Sequence, residues 1–229
     1  MADLFENEAP KPSPTTPAEP REDAPLADRL RPRDLGEVVG QEHLTGPEGS
    51  IGRMVAAGRL SSMILWGPPG TGKTTIARLL ADSVGMRYAA VSAVFSGVAD
   101  LKKAFAEAET AAKAGQKTLL FVDEIHRFNR AQQDGFLPFV ERGTVTLVGA
   151  TTENPSFALN AALLSRAQVL ILERLGHEAL GELLTRAEEL ERPLPLTDDA
   201  RAALIASADG DGRFLLNQAE TLYNAGLTE

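Results

Sequence analysis

The chain has 229 residues, enough for one sizeable core and a smaller appendage, and carries a formal charge of −9. It has no cysteine, which excludes disulfides and thiolate metal sites, and its three histidines, His43, His126 and His177, are too scattered for a histidine metal cluster. The acidic balance argues against gripping nucleic acid with the whole surface, and with no apolar run near the roughly 20 residues of a membrane span and no opening signal segment, a cytoplasmic chain is expected.

Residues 1–27 hold six prolines, few large apolar side chains and −4 of the −9 charge. Such a stretch buries too little to offset chain entropy and is expected to stay disordered. Leu4-Phe5 is the exception. Leu-Phe pairs of this kind resemble the linear motifs that bind the bacterial sliding clamp, which makes the tail a candidate docking peptide; the other reading is an incidental pair.

A nucleotide-binding α/β domain is expected over 28–174. Residues 51–60 read as a short helix with Ser50 as its cap, and 62–66 as a strand. The strand delivers Gly67-Pro68-Pro69-Gly70-Thr71-Gly72-Lys73-Thr74, and a helix runs on to Val84. This fills the template G-x4-G-K-[ST] in its strand–loop–helix context. The three glycines let the backbone curl with unusual dihedrals and turn its N–H groups onto phosphate oxygens, and the helix start adds a partial positive charge. Lys73 would reach the β- and γ-phosphates, and the Thr74 hydroxyl would ligate Mg²⁺. The candidate nucleotide-binding residues of this stretch run from Gly67 through Thr75.

Strand 87–92 and helix 99–114, stopped by Gly115, come next. Strand 118–122 is apolar on both faces, as a central parallel strand should be. It ends in Asp123-Glu124 at the carboxyl edge of the sheet, expected to lie beside the phosphate loop, with Asp123 holding the Mg²⁺ shell and Glu124 acting as general base. Strand 144–152 ends in two hydroxyls, and 168–172 is the last strand. The alternation of strand and helix implies a parallel sheet, here five-stranded and flanked by helices. From Leu175 the pattern is purely helical, with helices over 177–191, 197–207 and 211–224, Asp211 being a good N-cap for the third. A small all-helical lid is expected over 175–229.

The segment "LRP…LGEVVGQEHL" and the stretch "DEIHRFN-AQQD-FLP-VE-G" together resemble the RarA (MgsA) family of replication- and recombination-associated AAA+ ATPases, in the clamp-loader and Holliday-junction-motor branch. The resemblance covers about 200 residues, from Leu26 onward. It implies an AAA+ phosphate-loop ATPase using ATP and Mg²⁺, with Arg31, Pro32, Val38 and Val39 wrapping the adenine and ribose. It places Thr152 at the sensor-1 position, Arg166 of "LLSR" as the arginine finger and Arg213 as the sensor-2 arginine of the lid; the usual pattern has a second arginine where this chain has Phe214. The implied partners are DNA, single-stranded, gapped or forked, with Arg127 and Arg130 as candidate backbone contacts and Lys102 and Lys103 as weaker ones; solvated or salt-bridging arginines are the alternative. A single-stranded-DNA-binding protein, further copies of the chain in a homo-oligomer, and a nucleoid-associated location are implied in the same way. Members of this family continue past the lid into a helical oligomerisation domain, so the resemblance implies either a fragment or a shortened form. A nucleotide-dependent scaffold with little turnover is the alternative function, and Glu124 and Arg166 speak against it.

Overall fold

In the strands β1 (Met63–Trp66), β3 (Thr118–Asp123) and β4 (Val145–Thr151), neighbouring apolar side chains point to opposite faces, so both faces of the sheet must be covered. The computed structural model, which describes residues 23–225, shows these three with β2 (Arg87–Ser92) and β5 (Gln168–Ile171) in one parallel sheet ordered β2-β3-β4-β1-β5. On one face Met63, Leu65, Leu119, Phe121, Val148 and Ala150 meet Ile76, Ala77 and Leu80 of α4 (Lys73–Ser83). On the other, Ile64, Leu120, Val122 and Leu147 meet Leu101, Phe105 and Ala108 of α5 (Val98–Lys113). Each fully buried Leu or Ile contributes about 1.5–3 kcal/mol, and the alternation along each strand divides that burial between the two faces.

The strand order decides how the loop and the acids meet. The phosphate-loop strand β1 and the acidic strand β3 are not neighbours, because β4 lies between them and pairs with both. At ordinary strand spacing the two strands stand about 10 Å apart. The carboxyl end of β4 therefore sits between the loop and the acids.

Before the sheet, α1 (Leu26–Arg29), α2 (Glu42–Thr45) and α3 (Ser50–Ala56) form a leading segment. The expected tail overran into it: Leu26, placed in the tail, is 1 % exposed and belongs to the lid's core. Leu26 opens α1, just after Pro25 at the N-cap. Ser50 is not a cap; Gly49 holds that position without a side-chain bond, and α3 stops at Ala56, just before Gly58 turns left-handed. Past β3, α6 (Arg130–Asp134) and α7 (Leu137–Glu141) lead to β4, and α8 (Pro155–Ala158) and α9 (Ala161–Leu164) lead to β5.

The lid consists of α10 (His177–Leu190), α11 (Asp198–Ser207) and α12 (Gly212–Asn224), whose apolar stripes close on Leu180, Leu184, Leu215 and Ala219. Thr197 caps α11 from outside the helix, accepting the Ala200 N–H, and Asp211 caps α12 as expected, accepting the Phe214 N–H at 2.9 Å. The leading segment is stitched to the lid rather than to the sheet alone. Gln41, fully buried, donates to the Glu173 carbonyl at 2.8 Å and accepts the Glu173 N–H at 3.1 Å, between β5 and the lid.

Candidate active site

The carboxyl ends of β1, β3 and β4 meet the start of α4 and the tip of α12 at one edge of the sheet. Gly70 and Gly72 adopt the left-handed conformations that curl the phosphate loop, with φ of +68° and +92°. Gly67 is needed for another reason: a Cβ there would lie 2.5 Å from the Leu172 carbonyl oxygen. Thr71 is buried and donates to the Pro68 carbonyl at 2.9 Å, closing the loop on itself. Gly72 is the N-cap of α4 and supplies no side-chain acceptor, so the first N–H groups of α4 face the loop without a capping partner.

Lys73 lies inside this curl, its Nζ donating to the Gly67 carbonyl at 2.8 Å and the Pro68 carbonyl at 2.6 Å. Burial pulls its ammonium below the usual lysine range; Glu124 and Asp123 oppose that shift, Arg213 of the lid adds to it, and Asp211 opposes it. The charges of both acids and of the lid arginine thus act on Lys73. Thr74 follows it at the start of α4 and is half-buried, as is Asp123.

Glu124 has φ of +52°, a left-handed conformation that few residues other than glycine adopt, and it turns the chain from β3 into the short 3-10 turn Ile125–Arg127. The carboxylate lies 3.3 Å from the Nε2 of His126, whose side chain is only 4 % exposed. The Nδ1 of the same ring is 3.0 Å from Thr151 Oγ1. Of the two hydroxyls that end β4, Thr151 is fully buried and joins this network, while Thr152 is exposed. The main chain of Thr151 also accepts the Gly67 N–H at 3.2 Å.

A cleft between lid and sheet is lined by Arg31, Pro32, Val38, Val39, Gly70, Thr71, Gly72, Thr75 and Arg213, all expected from sequence. The cleft is open to solvent on one side and holds about 120 Å³. Leu30, Leu175, Leu183 and Leu216 also line it and were not foreseen. Val38 belongs to the sheet's core and Val39 packs on the lid's, so this dipeptide straddles the two.

Arg166 does not line the cleft. Its Nε donates to Glu141 Oε1 at 2.7 Å, and its Nη1 to the Ala162 carbonyl at 2.8 Å and to Ser165 Oγ at 3.0 Å. Gln133, read only as part of a family-like stretch, proves to be a buried clamp: its amide donates to the carbonyls of Phe128 and Ala158, and its oxygen accepts the Asn160 N–H. Asn160 in turn caps α9, which leads to Arg166. Arg127, Arg130, Lys102 and Lys103 are exposed, and none forms an ion pair among the described residues. Leu4 and Phe5 lie outside the described residues. Among the described residues no helix is long and apolar enough to cross a membrane.

Comparison with known proteins agrees with this geometry. The ATPase family associated with various cellular activities (AAA) matches residues 63–175. The replication-associated recombination protein A of Escherichia coli K12 is 47 % identical over 204 residues, 86 % of this chain and 46 % of that protein. The protein of the same name from Coxiella burnetii is 47 % identical over 211 residues, 90 % of this chain and 48 % of its own length. The chain thus spans about half the length of these curated relatives. Among solved structures, the Thermotoga maritima RuvB Holliday junction branch migration motor superposes with a TM-score of 0.69 at 27 % identity, covering 85 % of this chain and 65 % of that one. A complete phosphate loop, a paired acidic strand end and a helical lid, in a chain this similar to those relatives, make it a member of the replication-associated recombination protein A family of AAA ATPases.

Proposed function

We propose that the protein is a Mg²⁺-dependent ATPase that acts on DNA during replication-fork maintenance and recombination. The observation that carries the ATPase reading is the phosphate-loop curl closed on the buried Lys73 Nζ, with Asp123, Glu124 and Arg213 near enough for their charges to act on it. The donor set fits a nucleoside triphosphate. The uncapped N–H groups of α4 and the buried Lys73 ammonium suit phosphate oxygens, and the apolar leucines of the cleft with Val38 and Val39 suit a base. Thr74 and Asp123 offer the hydroxyl and carboxylate oxygens that Mg²⁺ prefers, and so few protein ligands match an ion that keeps most of its waters. The ion would neutralise charge on the β- and γ-phosphates. Glu124 takes a proton from the attacking water, and its 30 % exposed side chain leaves it open to that water. Arg213 supports the phosphates from the lid, and Thr152 orients the water as sensor 1. Arg166, turned away from its own cleft, serves the site of a neighbouring copy.

The DNA role rests on similarity to the relatives and on the exposed Arg127 and Arg130. Contact with a sliding clamp through Leu4 and Phe5, or with a single-stranded-DNA-binding protein, belongs to the same proposal. The test compares nucleotide binding and hydrolysis in the wild type, Lys73→Ala and Glu124→Gln, each without DNA and with single-stranded, duplex or gapped DNA. Lys73→Ala is expected to weaken ATP binding, and Glu124→Gln to keep binding while stopping turnover. Equal loss of binding in both variants contradicts the assigned roles, and turnover indifferent to every DNA contradicts the DNA role.

A further inference from the structure

His126 is placed by the 3-10 turn Ile125–Arg127, whose first residue is fully buried and fixes the turn against the sheet. Its ring lies between two strand ends. Nε2 faces Glu124 Oε2 at 3.3 Å and Glu153 Oε1 at 3.4 Å. Both are acceptors only, so a bare nitrogen lone pair there would be repelled, and the proton belongs on Nε2. Nδ1 then accepts from the Thr151 hydroxyl, 3.0 Å away, the nearer of that hydroxyl's two acceptors, the Glu153 carbonyl lying at 3.3 Å. Thr151 Oγ1 in turn accepts the Glu153 N–H at 3.0 Å, and the Thr151 carbonyl accepts the Gly67 N–H at 3.2 Å. A continuous set of contacts therefore runs from the first glycine of the phosphate loop through Thr151 and His126 to the carboxylate of Glu124.

We propose that His126 is a positioning residue: its Nε2–H, oriented by Thr151, holds one oxygen of Glu124 so that the other faces the attacking water. The inference rests on the ATPase reading and deepens it. Nε2 faces two carboxylates, neither of which accepts a hydrogen bond from any other residue among the described residues. The arrangement suits a base carried on a single left-handed residue, whose side chain has no regular element to steer it.

The experiment measures kcat, ATP affinity and thermal midpoint in the wild type, His126→Ala and His126→Gln, and single-turnover hydrolysis when His126→Ala is added to Glu124→Gln. The expected result for His126→Ala is a kcat lower by about 10- to 100-fold, less than the roughly 10²–10⁴ that a whole general base supplies, with ATP affinity within about twofold of wild type. His126→Gln places an amide N–H near the position of Nε2–H and should recover most of the loss. In the Glu124→Gln background the histidine change should add nothing, because its effect passes through Glu124. An active wild type with unchanged or higher kcat in His126→Ala overturns the inference alone. So does a loss of ATP affinity or thermal midpoint that tracks kcat, or a folded His126→Gln as slow as His126→Ala. Should His126→Ala fail to fold, His126→Gln decides: near-wild-type kcat supports the role, and a slow but well-folded variant overturns it. A wild type without ATPase activity overturns the proposed function and this inference with it.

Discussion

At the scale of single residues, Glu124 shows how the chemistry draws on the backbone. The chain must leave β3 and bury Ile125 within one step, and Ile125 fits only because Gly149 on β4 has no side chain: a Cβ there would lie 2.9 Å from Ile125 Cδ1. The left-handed turn that results costs an L-residue about 1 kcal/mol or more. Glu124→Gly should therefore gain about 1 kcal/mol of stability, a rise of about 2–4 °C in thermal midpoint at this size, while abolishing hydrolysis. Glu124→Gln keeps the turn and should melt like the wild type, so a Glu124→Gly midpoint no higher than that of Glu124→Gln counts against stored strain. Asp123 and Glu124 were legible because a strand-terminal acid pair after a phosphate loop is a local pattern. Thr151 and His126 were not. Which of two successive hydroxyls turns inward depends on the register that sets Trp66 opposite Thr151, and a histidine between two strand ends looks in sequence like any histidine in a turn.

Among elements, the leading segment and the lid behave as one unit. Gln41 cannot be exchanged for an apolar residue without leaving the Glu173 N–H and carbonyl unpaired, at about 1–3 kcal/mol for each such group. Gly40 lies so close to α10 that a Cβ would sit 2.8 Å from Leu175 and 3.1 Å from Ala179. The strands and long helices of the sheet were readable from periodicity, almost to their ends. The two buried glutamines were not, since their partners are main-chain groups on distant segments. At the far side of the lid, Tyr223 of α12 donates to the Arg192 carbonyl at 2.9 Å. Burial, with Glu188 and Glu191 beside it, pushes its phenol up to about 12 from 10.0. The unfolded chain thus loses this proton first, so the stability it contributes is complete below about pH 10 and is lost as pH rises toward 12. Tyr223→Phe should flatten the decline in that window. Parallel urea titrations of both proteins at pH 9 and 11.5 measure it, and equal declines would show that the phenol takes no part.

For the whole molecule, chain order says nothing of which strand stands between the loop and the acids, and the sheet order shows that it is β4. That inserted strand brings a third group of side chains to the site. Arg166 is held on Glu141 of its own chain and is absent from its own cleft, so its proposed partner is another copy. Arg166→Ala should bind ATP normally and hydrolyse it about 10³-fold more slowly or worse. Mixing it with Glu124→Gln should restore part of the activity, because each variant supplies what the other lacks. No recovery in demonstrably mixed assemblies would place Arg166 outside the neighbour's chemistry. One contact bears on the molecule as a mechanical object. The tip of α12 rests on the phosphate loop: the Gly212 N–H reaches the Gly70 carbonyl at 3.3 Å, and a Cβ on Gly70 would fall 1.8 Å from Asp211 Oδ1. Lid angle and loop shape cannot change independently across so tight a seat. Whatever free energy a bound nucleotide spends in tilting the lid must, by reciprocity, be returned when something else tilts it. A partner that grasps the lid from outside would thus tune nucleotide affinity from a distance, with the lid as lever and Gly70 as fulcrum.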